Sequence, residues 1–570
     1  MAGIGSYGKV NPMDQDILHR KRKNKRIIII GISTIVLVGI VIGAVVGTAV
    51  GRDKNSSVDQ PSQVSATIKA TCGVTLYPDT CVQSVIPMAN STKNVTPQGI
   101  FRWALQAAIN ELSVVSERFN IPDGSSPDNF TAAAFANCRD LLELAMDHLN
   151  DTANLSGDIT SPNTLDDMLT WLSAAGTYQQ TCLDDFEDSL NSTVSNYLKT
   201  SSELTSNSLA IVNSFAKVAN EFNFHRRLLN SDVDDSSAPS WLSRSGRRLL
   251  QAPSGSIQVD AIVAKDGSGK YKTISAALKA VPEKSKTRFI IYVKKGVYQE
   301  NVVVSKNAWN VMIIGDGLRS TIVTGNLNVV DGTPTFQSAT FTVNGKGFIA
   351  RDMGFRNTAG AIKHQAVALL STADQSVFYG CSMDAFQDTL YPHSNRQFYR
   401  ECTITGTVDF IFGNAAVVFQ NCTIVPRLPM SGQQNTITAQ GKLDPNQNTG
   451  ISIQGSTLIA SNDLKGTSIK TYLGRPWKDY STTIFFNSNF VGSLINPAGW
   501  LPWVGNSAPA TIFYAEYQNF GTSASTKNRV KWSGLKLNLT AKQVAKFTVN
   551  PFIDGANWLP ATAVPFVPGL

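Results

Sequence analysis

The chain has 570 residues, 42% of them hydrophobic and 16% charged, with a net charge of +8. That length exceeds one ordinary domain, so two or three folded units are expected. The charge is uneven: residues 61–250 carry 12 Lys and Arg against 21 Asp and Glu, or −9, whereas residues 251–570 carry 29 against 17, or +12. A basic half could face nucleic acid, anionic lipid or an acidic polymer. It holds no Lys/Arg cluster interleaved with aromatics and no nucleic-acid motif, which argues against nucleic acid and leaves a polyanionic carbohydrate or a merely solvated basic face.

At the N-terminus, Ile27 to Val50 is a run of 24 residues without a charge, preceded by the basic stretch His19 to Arg26. As a helix it would extend about 36 Å, enough for a hydrocarbon core of about 30 Å. The run is long for a signal-peptide core and lacks a clear cleavage site. Positive charge on its N-terminal side predicts a cytoplasmic tail over 1–26, a transmembrane signal anchor over 27–50 and a lumenal remainder. Sequons at Asn55, Asn90, Asn94, Asn129, Asn150, Asn154, Asn191, Asn421 and Asn538 fit that secretory address.

Residues 61–225 read as helical. Ile100 to Leu112, Ala136 to Leu149 and Leu204 to Ala219 repeat apolar residues at three and four, the mark of bundle core and not of chemistry. Cys72, Cys81, Cys138 and Cys182 favour two disulfides in an oxidising compartment, with three pairings open. A polar linker follows within 226–255, bracketed by two identical tetrapeptides, Arg226-Arg227-Leu228-Leu229 and Arg247-Arg248-Leu249-Leu250. One Arg-Arg pair is easily accidental; two copies around a linker are harder to dismiss.

From residue 256 the pattern changes to short strands punctuated by Gly, Asn and Asp. The Asp266–Lys270 turn DGSGK lacks the full phosphate-loop pattern and reads as a turn. Segments around Asp352, Cys381, Cys402, Cys422, Ser456 and Ser488 share one frame, with steps of 29, 21, 20, 34 and 32. Steps near 20 with longer excursions predict a right-handed parallel β-helix in which each coil stacks on the last. Cys402 and Cys422 would then be neighbours able to bridge adjacent coils, leaving Cys381 free and buried; a stack of small side chains is the alternative.

The same step brings chemistry together. Asp388 and Asp409 are 21 apart and Gln365 and Gln387 are 22 apart, so all four polar residues converge on adjacent coils, each set among strand-forming apolar neighbours. Four polar groups satisfying one another is the bland reading. The sharper one is ester hydrolysis on carboxylates, one as nucleophile and one as acid, with two amides as oxyanion donors. A serine hydrolase is disfavoured, since only His364 and His393 follow residue 250 and no GxSxG elbow is present; no Cys/His spacing suggests a metal.

Five segments occur in order: GVYQE (Gly296 to Glu300), KHQAVAL (Lys363 to Leu369), AFQDTLY (Ala385 to Tyr391), GTVDFIFG (Gly406 to Gly413) and LGRPW (Leu473 to Trp477). Together they resemble the signature set of plant pectin methylesterases, across residues 256–570. NCRDLLELA (Asn137 to Ala145) and YQQTCLDDF (Tyr178 to Phe186) resemble the inhibitor-like pro-region that precedes many of them, a four-helix bundle with an N-terminal helical hairpin. The resemblance implies pairs Cys72–Cys81 and Cys138–Cys182, Asp409 as nucleophile, Asp388 as proton donor, Gln365 and Gln387 as oxyanion donors, and Arg475 as partner of Asp409. It implies substrate contacts at Thr335, Gln365, Arg475, Trp477 and Trp500, methyl-esterified pectin as substrate, and no cofactor. Its further implied partners are the chain's own pro-domain or a separate pectinesterase inhibitor, and a processing protease that releases the enzyme from the secretory membrane to the cell wall. Phe386 stands where that family usually has tyrosine, and Leu370 replaces a common arginine. The competing classes are another pectin-active β-helix enzyme, such as a lyase, and a non-catalytic inhibitor or wall-binding protein.

Overall fold

The computed structural model describes residues 60–89, 95–119, 128–155, 159, 161–186, 188–227 and 258–570. The predicted tail over 1–26, the anchor over 27–50, the sequons at Asn55, Asn90 and Asn94, and the linker beyond Arg227 lie outside the described residues. Among the described residues no helix is long and apolar enough to cross a membrane.

Among the described residues, six helices form the N-terminal unit: α1 (Gln60–Cys72), α2 (Pro78–Ala89), α3 (Pro97–Glu117), α4 (Asn129–Ala153), α5 (Pro162–Asp184) and α6 (Asp188–Arg227). Their starts are written locally. Thr96, Asp128 and Ser161 each accept a backbone N–H of the first turn, and Pro97 and Pro162 occupy first-turn positions where no N–H is needed. α1 and α2 make a hairpin closed by Cys72–Cys81, and Cys138–Cys182 ties α4 to α5. The apolar stripes of α3 to α6 meet in one core that includes Leu105, Leu112, Leu141, Leu172 and Ile211.

The second unit is a parallel β-helix of three sheets with 11, 7 and 8 strands, and every strand pairs parallel with that of the next coil. Ala350, Phe378, Tyr399, Phe419, Ile453 and Phe485 occupy one line through successive coils. Within it the rings of Phe378, Tyr399 and Phe419 stack at centroid distances of 4.7 Å. Steps of 21, 20, 34 and 32 therefore hold, but the first is 28, not 29: Gly354 pairs with Ser382, so Met353 and not Asp352 precedes Cys381 in the stack.

The bridge expected between Cys402 and Cys422 is absent; Cys381, Cys402 and Cys422 are all free and buried. Their neighbours are in register, Ser382 with Thr403 and Thr403 with Thr423, so the three Cβ vectors run side by side instead of converging. Each Sγ donates to a carbonyl of the preceding coil, on Ala350, Phe378 and Tyr399 respectively.

The helical unit rests on the outer face of the seven-stranded sheet. Phe336, Val367, Leu370, Tyr391, Phe412 and Ala439 share the apolar core of the bundle, so the leucine at position 370 serves as a docking contact. Around this patch Thr181 bonds His393 (2.8 Å), Asn414 donates to Thr177 (2.9 Å), and Gln447 donates to Ser173 O (3.1 Å). Arg396, almost fully buried, pairs with Asp374 of its own unit and Asp167 of α5, both at 2.7 Å. Lys306 reaches Glu143 and Asp147, and Lys478 reaches Asp184. Acidic bundle meets basic β-helix, as the uneven charge anticipates.

Candidate active site

The seven-stranded sheet sets the site. Leu390 pairs with Ile411, and Ile411 pairs with Thr438 one coil further on. Asp388, Asp409 and Thr436 each stand two residues before those positions, the two aspartates in the bends that enter their strands and Thr436 already inside the strand Asn435–Gln440. Both aspartates adopt left-handed backbone conformations, with φ of 62° and 51°. Such values are uncommon for residues other than glycine and are held here by the surrounding ladder. Asp388 N donates to Val408 O (3.0 Å), tying one coil to the next.

The two acids are buried, 7% and 5% exposed, but differ in their partners. The Asp409 carboxylate accepts three hydrogen bonds from Arg475, whose Nε lies 2.9 Å from Oδ1 and 3.1 Å from Oδ2 and whose terminal nitrogen lies 2.6 Å from Oδ2. Arg475 follows directly on the strand Thr471–Gly474, which is how the coil delivers it. Burial disfavours its charge, but the bonds to Asp409 more than offset this and hold the guanidinium protonated. No hydrogen bond to the Asp388 carboxylate occurs among the described residues. Burial first, and the charge of Asp409 second, push its pKa well above the usual carboxylate range, with Arg475 pulling the other way. One acid is clamped beside a guanidinium, and ionisation of its neighbour is disfavoured, an asymmetry of the kind acyl transfer on carboxylates can use.

Gln365 and Gln387 face each other across adjacent coils in a parallel bridge, both half-buried. Thr335 opens a 3-10 turn, Thr335–Ser338, whose Ser338 hydroxyl accepts from Val367 N (3.1 Å). Trp477 is half-buried and lies over Gly441, where a Cβ would come within 2.9 Å of the ring. α5 covers it: Gly176, Thr177 and Gln180 line a small cavity with Trp477 and Tyr391.

Trp500 departs from expectation. It is 1% exposed inside the β-helix, its ring tilted against Tyr514 with centroids 4.3 Å apart, and its indole N–H donates to buried Glu516. A backbone bridge to Gly474 turns it inward, so it has no face to offer a sugar. The exposed indole is Trp503, 6.5 Å from Trp477, with the Arg475 guanidinium 4.3 Å from its ring centroid. Two tryptophans three apart in GWLPW were the available signal. Arg427 was also missed; its guanidinium lies 4.0 Å from the Phe386 ring centroid, bracing the segment that carries Gln387 and Asp388. Among the sequons, Asn129, Asn150, Asn154, Asn421 and Asn538 are exposed, whereas Asn191 is half-buried and its amide donates to Leu183 O.

Comparison with known proteins agrees with this geometry. A family described as Pectinesterase matches residues 260–556, and one described as plant invertase/pectin methylesterase inhibitor matches residues 66–211. A putative pectinesterase/pectinesterase inhibitor 24 of Arabidopsis thaliana is 52% identical over 99% of both chains. Pectinesterase 3 of Phaseolus vulgaris is 48% identical over 98% of both. Among solved structures, a pectin methylesterase from carrot is 55% identical, with a TM-score of 0.55, covering 56% of this chain and all of its own. The chain belongs to the pectinesterase family, and carries ahead of its β-helix a segment of the pectin methylesterase inhibitor family.

Proposed function

We propose that the protein hydrolyses methyl esters of pectin, releasing methanol and pectate. The observation that carries the reading is the buried acid pair on successive coils, one member bound by Arg475 and the other without a hydrogen bond to its carboxyl among the described residues. An Asp409 carboxylate oxygen attacks the ester carbonyl, and the tetrahedral oxyanion is held by the Gln365 and Gln387 amides, each contributing about 3 kcal/mol if typical of single donors. The C–OCH3 bond breaks as Asp388 gives its proton to the leaving methoxide, leaving a mixed anhydride on Asp409. Asp388, now ionised, takes a proton from water; the resulting hydroxide opens the anhydride, giving the pectate carboxyl and free Asp409. Thr335 and Trp477 belong to the substrate cleft in this reading.

The bundle keeps the enzyme latent until it is removed. α5 lies against Trp477, and the pro-domain occupies the sheet face next to both acids. The proposed segmentation is a cytoplasmic tail over 1–26, a signal anchor over 27–50, a pro-domain over 61–225, a linker over 226–255 cut at the RRLL tetrapeptides, and a catalytic domain over 256–570 in a right-handed coil. The mature enzyme would work in the cell wall, glycosylated at its exposed sequons. The test is the product: the processed protein should release methanol from highly methylated pectin without ultraviolet-absorbing unsaturated ends. A precursor with Arg226, Arg227, Arg247 and Arg248 all changed to Ala should stay uncut and silent. Unsaturated products would make it a lyase, and an equally active uncut precursor would remove the latency.

A further inference from the structure

Thr436 stands one coil beyond Asp409 on the ladder that also carries Asp388, and it is 1% exposed. Its hydroxyl makes two bonds to a single residue. It accepts from Asp409 N (2.9 Å) and donates to Asp409 Oδ1 (2.6 Å). Main chain and carboxylate of Asp409 are thereby fixed by one atom, at a residue whose backbone is left-handed. Oδ1 accepts from Thr436 and Arg475 Nε, and Oδ2 accepts from two nitrogens of Arg475, so among the described residues Thr436 supplies the bond to this carboxylate that does not come from the guanidinium.

We propose that Thr436 is a positioning residue for ester hydrolysis, its one hydroxyl tying the Asp409 carboxylate to the Asp409 backbone N–H. This rests on Asp409 being the nucleophile. No step is added to the reaction: the bond that forms is from an Asp409 carboxylate oxygen to the ester carbonyl carbon, and the proton of Thr436 stays on its own oxygen throughout. What the hydroxyl supplies is orientation, and misplacing a nucleophile by about 1 Å can cost about a hundredfold in rate.

The test introduces Thr436→Val and Thr436→Ser into the full-length chain, expressed in a secretory host and assayed as the active form released. The valine keeps the shape and removes the hydroxyl. It should lower kcat by about ten- to a hundredfold with KM within about twofold. The serine restores the hydroxyl and should recover kcat to within about threefold of wild type. Should the valine protein fail to fold, Thr436→Ala set against Thr436→Ser gives the same contrast. The proposal is overturned by a folded Val or Ala variant with unchanged kcat, or by a serine variant as impaired as the variants lacking the hydroxyl. Asp409→Asn run alongside separates the two ideas: if it keeps full activity, the nucleophile assignment itself falls, whatever Thr436 does.

Discussion

Asp388 and Asp409 differ in chemical role although both are buried carboxyls at equivalent points of successive coils. Arg475 and Thr436 hold one, and nothing described here bonds the carboxylate of the other. Because burial and the neighbouring charge raise the pKa of Asp388, its proton is retained well above the ordinary carboxylate range, and activity should fall as rising pH removes it. The alkaline limb of kcat/KM is therefore assigned to Asp388 within the coupled pair. In Asp388→Asn that limb should vanish and kcat should drop by about a hundredfold or more; a limb that persists unchanged in the variant would place the titrating group elsewhere. Each residue of the pair was legible in the sequence, since a 21-residue separation equals one coil. Thr436 was not, because 27 residues separate it from Asp409 and only the register shows that a longer excursion returns to the same line. Trp500 misled for a related reason: alternation decides which side of the coil an aromatic faces, and a lone bridge outside the regular strands reversed the expectation.

At the scale of the coil, the stacked frame was readable because outward loops absorb length differences while the strands keep their register. The stack of Cys381, Cys402 and Cys422 shows where that reasoning stops. Neighbouring strands sit about 4.8 Å apart, within the range of Cα separations a disulfide accepts, so spacing permits a bridge that direction does not. All seven cysteines are accounted for by two disulfides and three thiols. Thiol titration of the unreduced full chain in denaturant should give three equivalents, and close to none before unfolding. One equivalent would restore the bridge between Cys402 and Cys422.

Across the whole molecule, the two halves divide the work between chemistry and its restraint. Exposed ion pairs such as Lys306 with Glu143 contribute little each, about 0–1 kcal/mol; the apolar patch around Phe336, Leu370, Tyr391 and Phe412 supplies the larger share of docking. Charge asymmetry was visible in the sequence, but the docking face was not, since an outward Leu370 or Tyr391 on a β-helix looks like any strand residue until a partner covers it. The whole account stands on the acid pair beneath that face. Its most direct test is methanol release from methylated pectin by the processed protein and by the same protein carrying Asp409→Asn. The account predicts a loss of at least about a thousandfold with melting temperature and pectin binding retained; a folded variant within tenfold of wild type would contradict it.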